Sequence, residues 1–452
     1  MTVQEQKGQK NSMISGNPVK PLVLFSVPMI LGNLFQQLYN IVDAIVVGKA
    51  VGEDALAAVG ASTAITMLFV MVANGCGIGC SVVISQMFGA KQLSKMKTAI
   101  STALISILGF SIVLSIAGVV VNREILRLME TPENVFEEAA SYLQIYFYGF
   151  AFLFLYNVFS AIFNALGDSV KPLIFLAFSS LLNIGLNLYF VISLKMGVAG
   201  VAWATFIAQG VSAVLSFAFL VRKLRKMETG GYPFFDKKIL GKMLKVAIPT
   251  TLQQSIVSIG MLLIQAVVNR FGSSFMAGYT AATKIDGIAI VPMTTLGNAM
   301  STYTAQNMGA RKPERIGQGY RICLMMVIGF GVFIALAFRF CGGQFVSLFM
   351  KSDTGTESIA VGTAYLGIVS SFYFVMGAMN VSCGILRGVA DMKWFLASSI
   401  VNLSSRVALT YLFADATNGR IIMWANPIGW FLGLGVAVIR YFQGGWKKRQ
   451  LV

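Results

Sequence analysis

Runs of roughly 20 apolar residues recur from Pro21 almost to the C-terminus, and this recurrence constrains the chain more than any other feature. Each run matches a hydrocarbon layer about 30 Å thick at 1.5 Å of rise per helical residue. Charged residues make up only 12% of the chain and hydrophobic ones 56%, too little charge to cover a soluble fold of this size. A transmembrane β-barrel would instead alternate apolar and polar residues along strands of about ten residues. The fold class read from this pattern is an all-α polytopic membrane protein. Twelve spans are expected, near 21–47, 55–87, 97–121, 136–165, 172–194, 198–221, 243–269, 276–307, 322–338, 358–386, 394–414 and 421–439.

The net charge of +17 is unevenly distributed along these spans. With the N-terminus inside, 25 of the 35 lysines and arginines fall in inward segments and eight in outward ones. Lys284 and Arg406 remain within spans. The positive-inside rule then places both termini in the cytoplasm. The excess charge sets orientation and marks no nucleic-acid surface. The chain has no histidine, which excludes Ser-His-Asp and Cys-His catalysis and the H-E-x-x-H metal site. No P-loop sequence occurs, and no other catalytic constellation is visible, so an enzyme is not expected. The five cysteines form no C-x-x-C pair. Cys76 and Cys80, inside Gly75-Cys76-Gly77-Ile78-Gly79-Cys80, read as small residues at a helix contact rather than as metal ligands. The first twenty residues are polar and hold no apolar signal-peptide core.

The basic stretch from Arg222 to Lys245 breaks the apolar pattern most strongly. It divides the chain into a cytoplasmic tail (1–20), a first lobe (21–221), a basic cytoplasmic linker (222–242), a second lobe (243–439) and a cytoplasmic C-terminal tail (440–452). The lobes repeat. Ser26-Val27-Pro28 answers Ala247-Ile248-Pro249 at an offset of 221, Ser85–Lys91 answers Ala305–Arg311 at 220, and Asn183 answers Asn402 at 219. Six spans return the chain to its starting side, so the repeats are parallel and related by an axis along the membrane normal. A two-lobed single chain suits alternating access, and secondary transport is the functional class expected.

An ionised side chain at the bilayer centre costs about 2.5–3.5 kcal/mol on insertion scales. Four stand more than three residues inside the expected spans: Asp43, Lys284, Asp286 and Arg406. Asp43 shares a helical face with Asn33, Gln36 and Asn40, at spacings of 3, 4 and 3. Such a stripe must face protein or a water-filled cavity. A carboxylate there can take up and release a proton, or bind Na⁺ beside amide oxygens. Lys284 and Asp286, at i and i+2, point to different faces, which leaves Arg406 as the partner available to Asp286. Gln36, Asn40, Lys284, Asp286 and Arg406 are the candidate substrate-cavity residues. Aromatic and methionine side chains crowd spans 4 and 10; they suit flat cationic molecules, although packing accounts for most of them.

Taken in order, Val42-Asp43-Ala44-Ile45-Val46-Val47-Gly48, Asp54-Ala55-Leu56-Ala57-Ala58-Val59-Gly60, Leu166-Gly167-Asp168 and Ala281-Ala282-Thr283-Lys284-Ile285-Asp286 resemble the MATE family. So does the Gln-x-x-Gly-Ala that closes the second helix of each half. This is the family of multidrug and toxic compound extrusion transporters, here its bacterial MepA-like branch, and the resemblance covers about 20–440. It implies two six-helix lobes in a V around a central cavity, and export of cationic or amphiphilic small molecules in exchange for H⁺ or Na⁺. No cofactor beyond the coupling ion is expected, no metal, and no partner beyond substrate and bilayer; a monomer is the expected working unit. The family's first-lobe cation site joins the span 1 aspartate to polar residues of spans 4, 5 and 6. Here Asp43, Asn183 and Thr205 match, with Asn157 a looser candidate. The family's frequent Asn-x-x-x-Asp on span 5 reads Asn183-Ile184-Gly185-Leu186-Asn187, so an amide replaces the second carboxylate and the expected ion shifts towards H⁺. The span 7 glutamate of other branches has no counterpart. The alternative function, a flippase for a lipid-linked oligosaccharide, would need a more cationic cavity than Lys284 and Arg406 supply.

Overall fold

Inside a bilayer every backbone amide must find a partner within the protein, and a helix supplies one for all but its end residues. The computed structural model describes residues 13–50, 53–348, 356–449 and 451; for 39–50, 53–57, 61 and 64 that description extends to the backbone only. Among the described residues there are helices and no strands. The first half runs α1 (Val19–Ala50), α2 (Glu53–Gly89), α3 (Leu93–Leu128), α4 (Glu133–Tyr148), α5 (Phe150–Ala165), α6 (Val170–Leu188) and α7 (Gly197–Arg225). The second runs α8 (Lys237–Val268), α9 (Gly272–Ala289), α10 (Val291–Gly309), α11 (Pro313–Ser347), α12 (Thr356–Ser370), α13 (Tyr373–Gly388), α14 (Met392–Phe413) and α15 (Arg420–Phe442).

Eight described stretches are long and apolar enough to cross a membrane, or ten if the bent pairs α4–α5 and α12–α13 each count as one crossing. Both pairs bend by 50°, at corresponding places in the two halves. One of the eight stretches, Lys237–Gly309, has 73 residues, enough for two crossings. Reading it as two and adding α14, whose 22 residues carry a polar stripe, accounts for the twelve expected spans.

The chain divides into two compact units. One is Val27–Thr251; the other joins the chain up to Ser26 with Leu252–Val452. Both divisions fall inside helices, beside Pro28 of α1 and Pro249 of α8. Each proline removes a backbone donor from its helix, so the ladder is already interrupted there.

The repeat is reproduced in backbone geometry. After α2, Lys91 takes a left-handed conformation (φ 56°), and Gln92 N–H returns to the carbonyl of Met87 at 3.0 Å. After α10, Arg311 does the same (φ 58°), with Lys312 N–H on Asn307 at 2.9 Å. The turns after α5 and α13 match in the same way: Gly167 (φ 77°) is answered by Ala390 (φ 58°). Asp168 N–H bonds Phe163 O at 2.9 Å, and Asp391 N–H bonds Leu386 O at 2.7 Å. All four are helix stops in which the sixth residue's N–H closes on the first residue's carbonyl.

Small residues bring the helices together. In the first unit Gly79 lies against the backbone of Ala247, and Gly75 lies under Thr251, so α2 packs on the opening turns of α8 through an i, i+4 glycine pair. Gly77 faces α5, where an added Cβ would stand 3.3 Å from the Asn157 carbonyl. The Gly75–Cys80 motif is therefore a helix contact, and Cys76 and Cys80 are free thiols within it. Phe147 packs edge-on against Phe150 and Phe150 tilts against Phe154 through the α4–α5 bend, so this part of the span 4 aromatic crowd is core. In the second unit Gly384 and Gly388 of α13 lie against the backbone of Gly297 and Ser301 of α10. The segment before α1 also belongs to this unit. Met13 is buried, Lys312 Nζ donates to Ile14 O at 2.9 Å, and Arg315 Nη1 donates to Gly16 O at 2.9 Å.

Candidate functional site

Among the described residues, each unit carries a polar cluster within its apolar spans. In the first, α6 carries Asn183 and Asn187 one helical turn apart, 2% and 1% exposed. Asn187 donates from Nδ2 to Oδ1 of Asn183 at 2.8 Å. Asn183 in turn donates from Nδ2 to Oγ1 of Thr205 on α7 at 3.2 Å, and the threonine hydroxyl donates to the Val201 carbonyl at 3.1 Å. Burying these groups is tolerable because each is hydrogen-bonded. The chain carries amide and hydroxyl oxygens and no formal charge, so it can orient a neighbouring carboxylate or coordinate a cation without competing for a proton.

The structure thus brings together Asn183, Asn187 and Thr205. Asn157 is occupied elsewhere: its Nδ2 donates to Leu153 O of its own helix at 2.8 Å. Gln36 on α1 is exposed. Asp43 and Asn40 follow on the same helix, in the part whose side chains lie outside the described residues.

In the second unit, Asp286 of α9 accepts a hydrogen bond from the hydroxyl of Tyr373 on α13 and a further one from Tyr365 on α12. Asn426 of α15 donates to the Tyr365 hydroxyl at 2.9 Å, and Tyr279 packs edge-on against the Tyr365 ring at 5.3 Å. Arg406 of α14 interacts electrostatically with Asp286, Tyr279 and Tyr365, yet no ion pair joins it to Asp286. Lys284 is exposed. The carboxylate expected to lean on Arg406 is instead satisfied by tyrosine hydroxyls. Tyr365, Tyr373 and Asn426 are therefore members of this cluster that spacing did not reveal. The signal was the hydroxyls scattered among the phenylalanines and methionines of span 10, which hydrophobicity alone treats as equivalent.

Outside the spans, each unit closes on an ion-paired carboxylate in the turn after its bent helix pair. Asp168 binds Lys223 Nζ at 3.0 Å and Lys171 Nζ at 3.3 Å. Partial burial alone would raise its pKa; the two ammonium groups outweigh that and hold the carboxyl below the usual carboxylate range. Asp391, fully buried, binds Arg440 Nε at 2.8 Å, with Arg449 Nη1 at 3.4 Å.

Comparison with known proteins agrees with this architecture. The MatE family profile matches residues 28–189 and 249–412, once in each half. The chain is 32% identical over 445 residues to the probable multidrug resistance protein YpnP of Bacillus subtilis, covering 96% of this chain and 97% of that one. It is 21% identical over 342 residues to the multidrug export protein MepA of Staphylococcus saprophyticus, covering 75% and 74% of the two chains. Among solved structures, an outward-facing multidrug resistance MATE transporter superposes with a TM-score of 0.90 at 24% identity, over 97% of this chain and 99% of that one. With its two bent-pair halves and its membrane-spanning helices, the chain belongs to the MatE family of multidrug and toxic compound extrusion transporters.

Proposed function

We propose that the protein is a secondary active efflux transporter that exports cationic or amphiphilic compounds in exchange for H⁺, with Na⁺ the second candidate ion. The observation that carries this reading is the buried, uncharged Asn187–Asn183–Thr205 chain within the first lobe's spans. Ion coupling needs a titrating or ligating group held in a defined orientation. In this reading Asp43 of α1 supplies the carboxylate, and the amide chain supplies the orientation. An amide at position 187 leaves one negative charge to neutralise, which a single proton does. The names of the relatives support the substrate class. The excess of lysine and arginine in the segments assigned to the inside supports a plasma-membrane protein with both termini cytoplasmic. Lobes 21–221 and 243–439, joined by the basic linker 222–242, act as one monomer without a cofactor.

Ion and substrate must prefer different conformations, since a ligand with equal affinity for both shifts nothing. Ion binding from outside favours the state that releases substrate outward, and return to the inward state discharges the ion. The test is efflux of a cationic dye from proteoliposomes with ΔpH and ΔNa⁺ imposed separately. ΔpH should drive uphill transport, and Asp43→Asn should abolish it while leaving the protein folded. Wild-type uphill rates in Asp43→Asn under the same gradient would overturn the assignment.

A further inference from the structure

The two polar clusters occupy equivalent places in the internal repeat, and their polarity differs. Asn402 answers Asn183, Arg406 answers Asn187, and Gly429 answers Gly210, all at an offset of 219. Where the first lobe has a pair of amides one turn apart on α6, the second has an amide and a guanidinium one turn apart on α14. In the first lobe the pair is hydrogen-bonded to itself and to Thr205. In the second, Oδ1 of Asn402, which is 8% exposed, and Nε of Arg406 have no hydrogen-bond partner among the described residues.

A guanidinium offers five N–H donors in a rigid fork. Left without an anion inside a membrane span it is costly, because the missing partner is not replaced by water. The carboxylate of Asp286 is engaged by Tyr373 and Tyr365 and forms no ion pair with Arg406. The backbone makes room for the arginine all the same. A Cβ on Gly429 of α15 would stand 2.5 Å from Arg406 Cγ and 2.7 Å from Asn402 Oδ1, so glycine there is what lets the stem lie across α15. Tyr279 and Tyr365, whose rings pack edge-on at 5.3 Å, interact electrostatically with the charge.

We propose that the guanidinium of Arg406 is an anion-accepting subsite of the second lobe that takes the carboxylate of an amphiphilic substrate. A planar carboxylate matches the fork of the guanidinium bidentately. The inference rests on the transporter reading and deepens it: substrates that pair a cationic group with a carboxylate are recognised at both ends, whereas simple cations use the rest of the cavity. Asp286, one negative charge close by, sets a limit on how tightly the carboxylate is held.

The experiment compares a rhodamine carrying a free carboxylate with its ethyl ester, by fluorescence anisotropy on the full-length protein in nanodiscs. Wild type should bind the acid more tightly than the ester, and Arg406→Gln should lower the acid-to-ester preference by about tenfold or more. Arg406→Lys keeps the charge without the fork and should lose several-fold of the preference. Asp286→Asn should strengthen acid binding. Equal binding of acid and ester by wild type overturns the proposal, and that measurement stands even if Arg406→Gln does not fold. So does an Arg406 variant that weakens acid and ester alike, which would make the residue a structural countercharge. Failure of the transporter reading would look different: ion gradients would drive neither acid nor ester.

Discussion

Arg440 donates from Nε to Oδ2 of Asp391 at 2.8 Å, bridging 49 residues of sequence to tie the end of α15 to the turn after α13. The first lobe repeats the device with Lys223 and Asp168, which tie the end of α7 to the turn after α5. In both lobes the carboxylate stands just beyond a left-handed helix stop, so the turn that ends the bent pair also presents the acid to the final helix of the lobe. The second-lobe version is the more deeply set: Asp391 is fully buried, and Arg440 lies over the Trp394 ring at 5.4 Å.

Removing Asp391 should therefore be costly. Asp391→Ala leaves the largely buried Arg440 without its carboxylate, and should destabilise the protein by about 3–5 kcal/mol. Thermal unfolding in detergent measures it. Asp391→Asn, which keeps an acceptor oxygen for Nε, should lose clearly less; equal losses in the two variants would show that the charge, not the hydrogen bond, carries the interaction.

Asp168 makes a prediction about pH. Its folded-state pKa lies below the ordinary 3.8, so its ion pairs contribute stability that is fully present above the ordinary carboxylate range. That contribution is lost as pH falls through the depressed folded value. Asp168→Asn should cost about 1–2 kcal/mol at pH 7, discounted because Lys171 and Lys223 keep 37% and 27% of their side-chain surface in solvent. The gap between wild type and variant should narrow below pH 4. A gap of unchanged size at pH 3 would assign the loss to packing instead.

Ala390 holds the left-handed position that Gly167 holds in the first lobe. An L-residue with a Cβ is strained there by roughly 1–2 kcal/mol, partly offset by the freedom glycine has in the unfolded chain. Ala390→Gly should stabilise the protein by up to about 1 kcal/mol, a rise in unfolding temperature without change in transport. Gly167→Ala should do the reverse.

The sequence by itself determined the membrane class, the two parallel halves and the landmarks that register them. These follow from length, hydrophobic periodicity and duplication, which are properties of local runs of residues and need no long-range contact to be read. Asn183, Asn187 and Thr205 were legible as a group because their family pattern pointed to them, and the structure joins them through two hydrogen bonds. The side chain of Asp43, the residue on which the coupling proposal turns, lies outside the described residues.

Only the tertiary structure decided which groups satisfy the buried charges. Charge and spacing offered Arg406 to Asp286, since a carboxylate and a guanidinium attract at any separation. Hydrogen bonding is short-ranged and directional, and the bend between α12 and α13 carries two tyrosine hydroxyls to Asp286 first. The same holds for the closing ion pairs: a lysine at the end of a basic run reads as a topology signal, and becomes a partner of Asp168 only when α7 returns beside the turn after α5. Whether a charge in a membrane span is paired or left open is a property of which helices meet, and that is set by packing across hundreds of residues rather than by the order of a few.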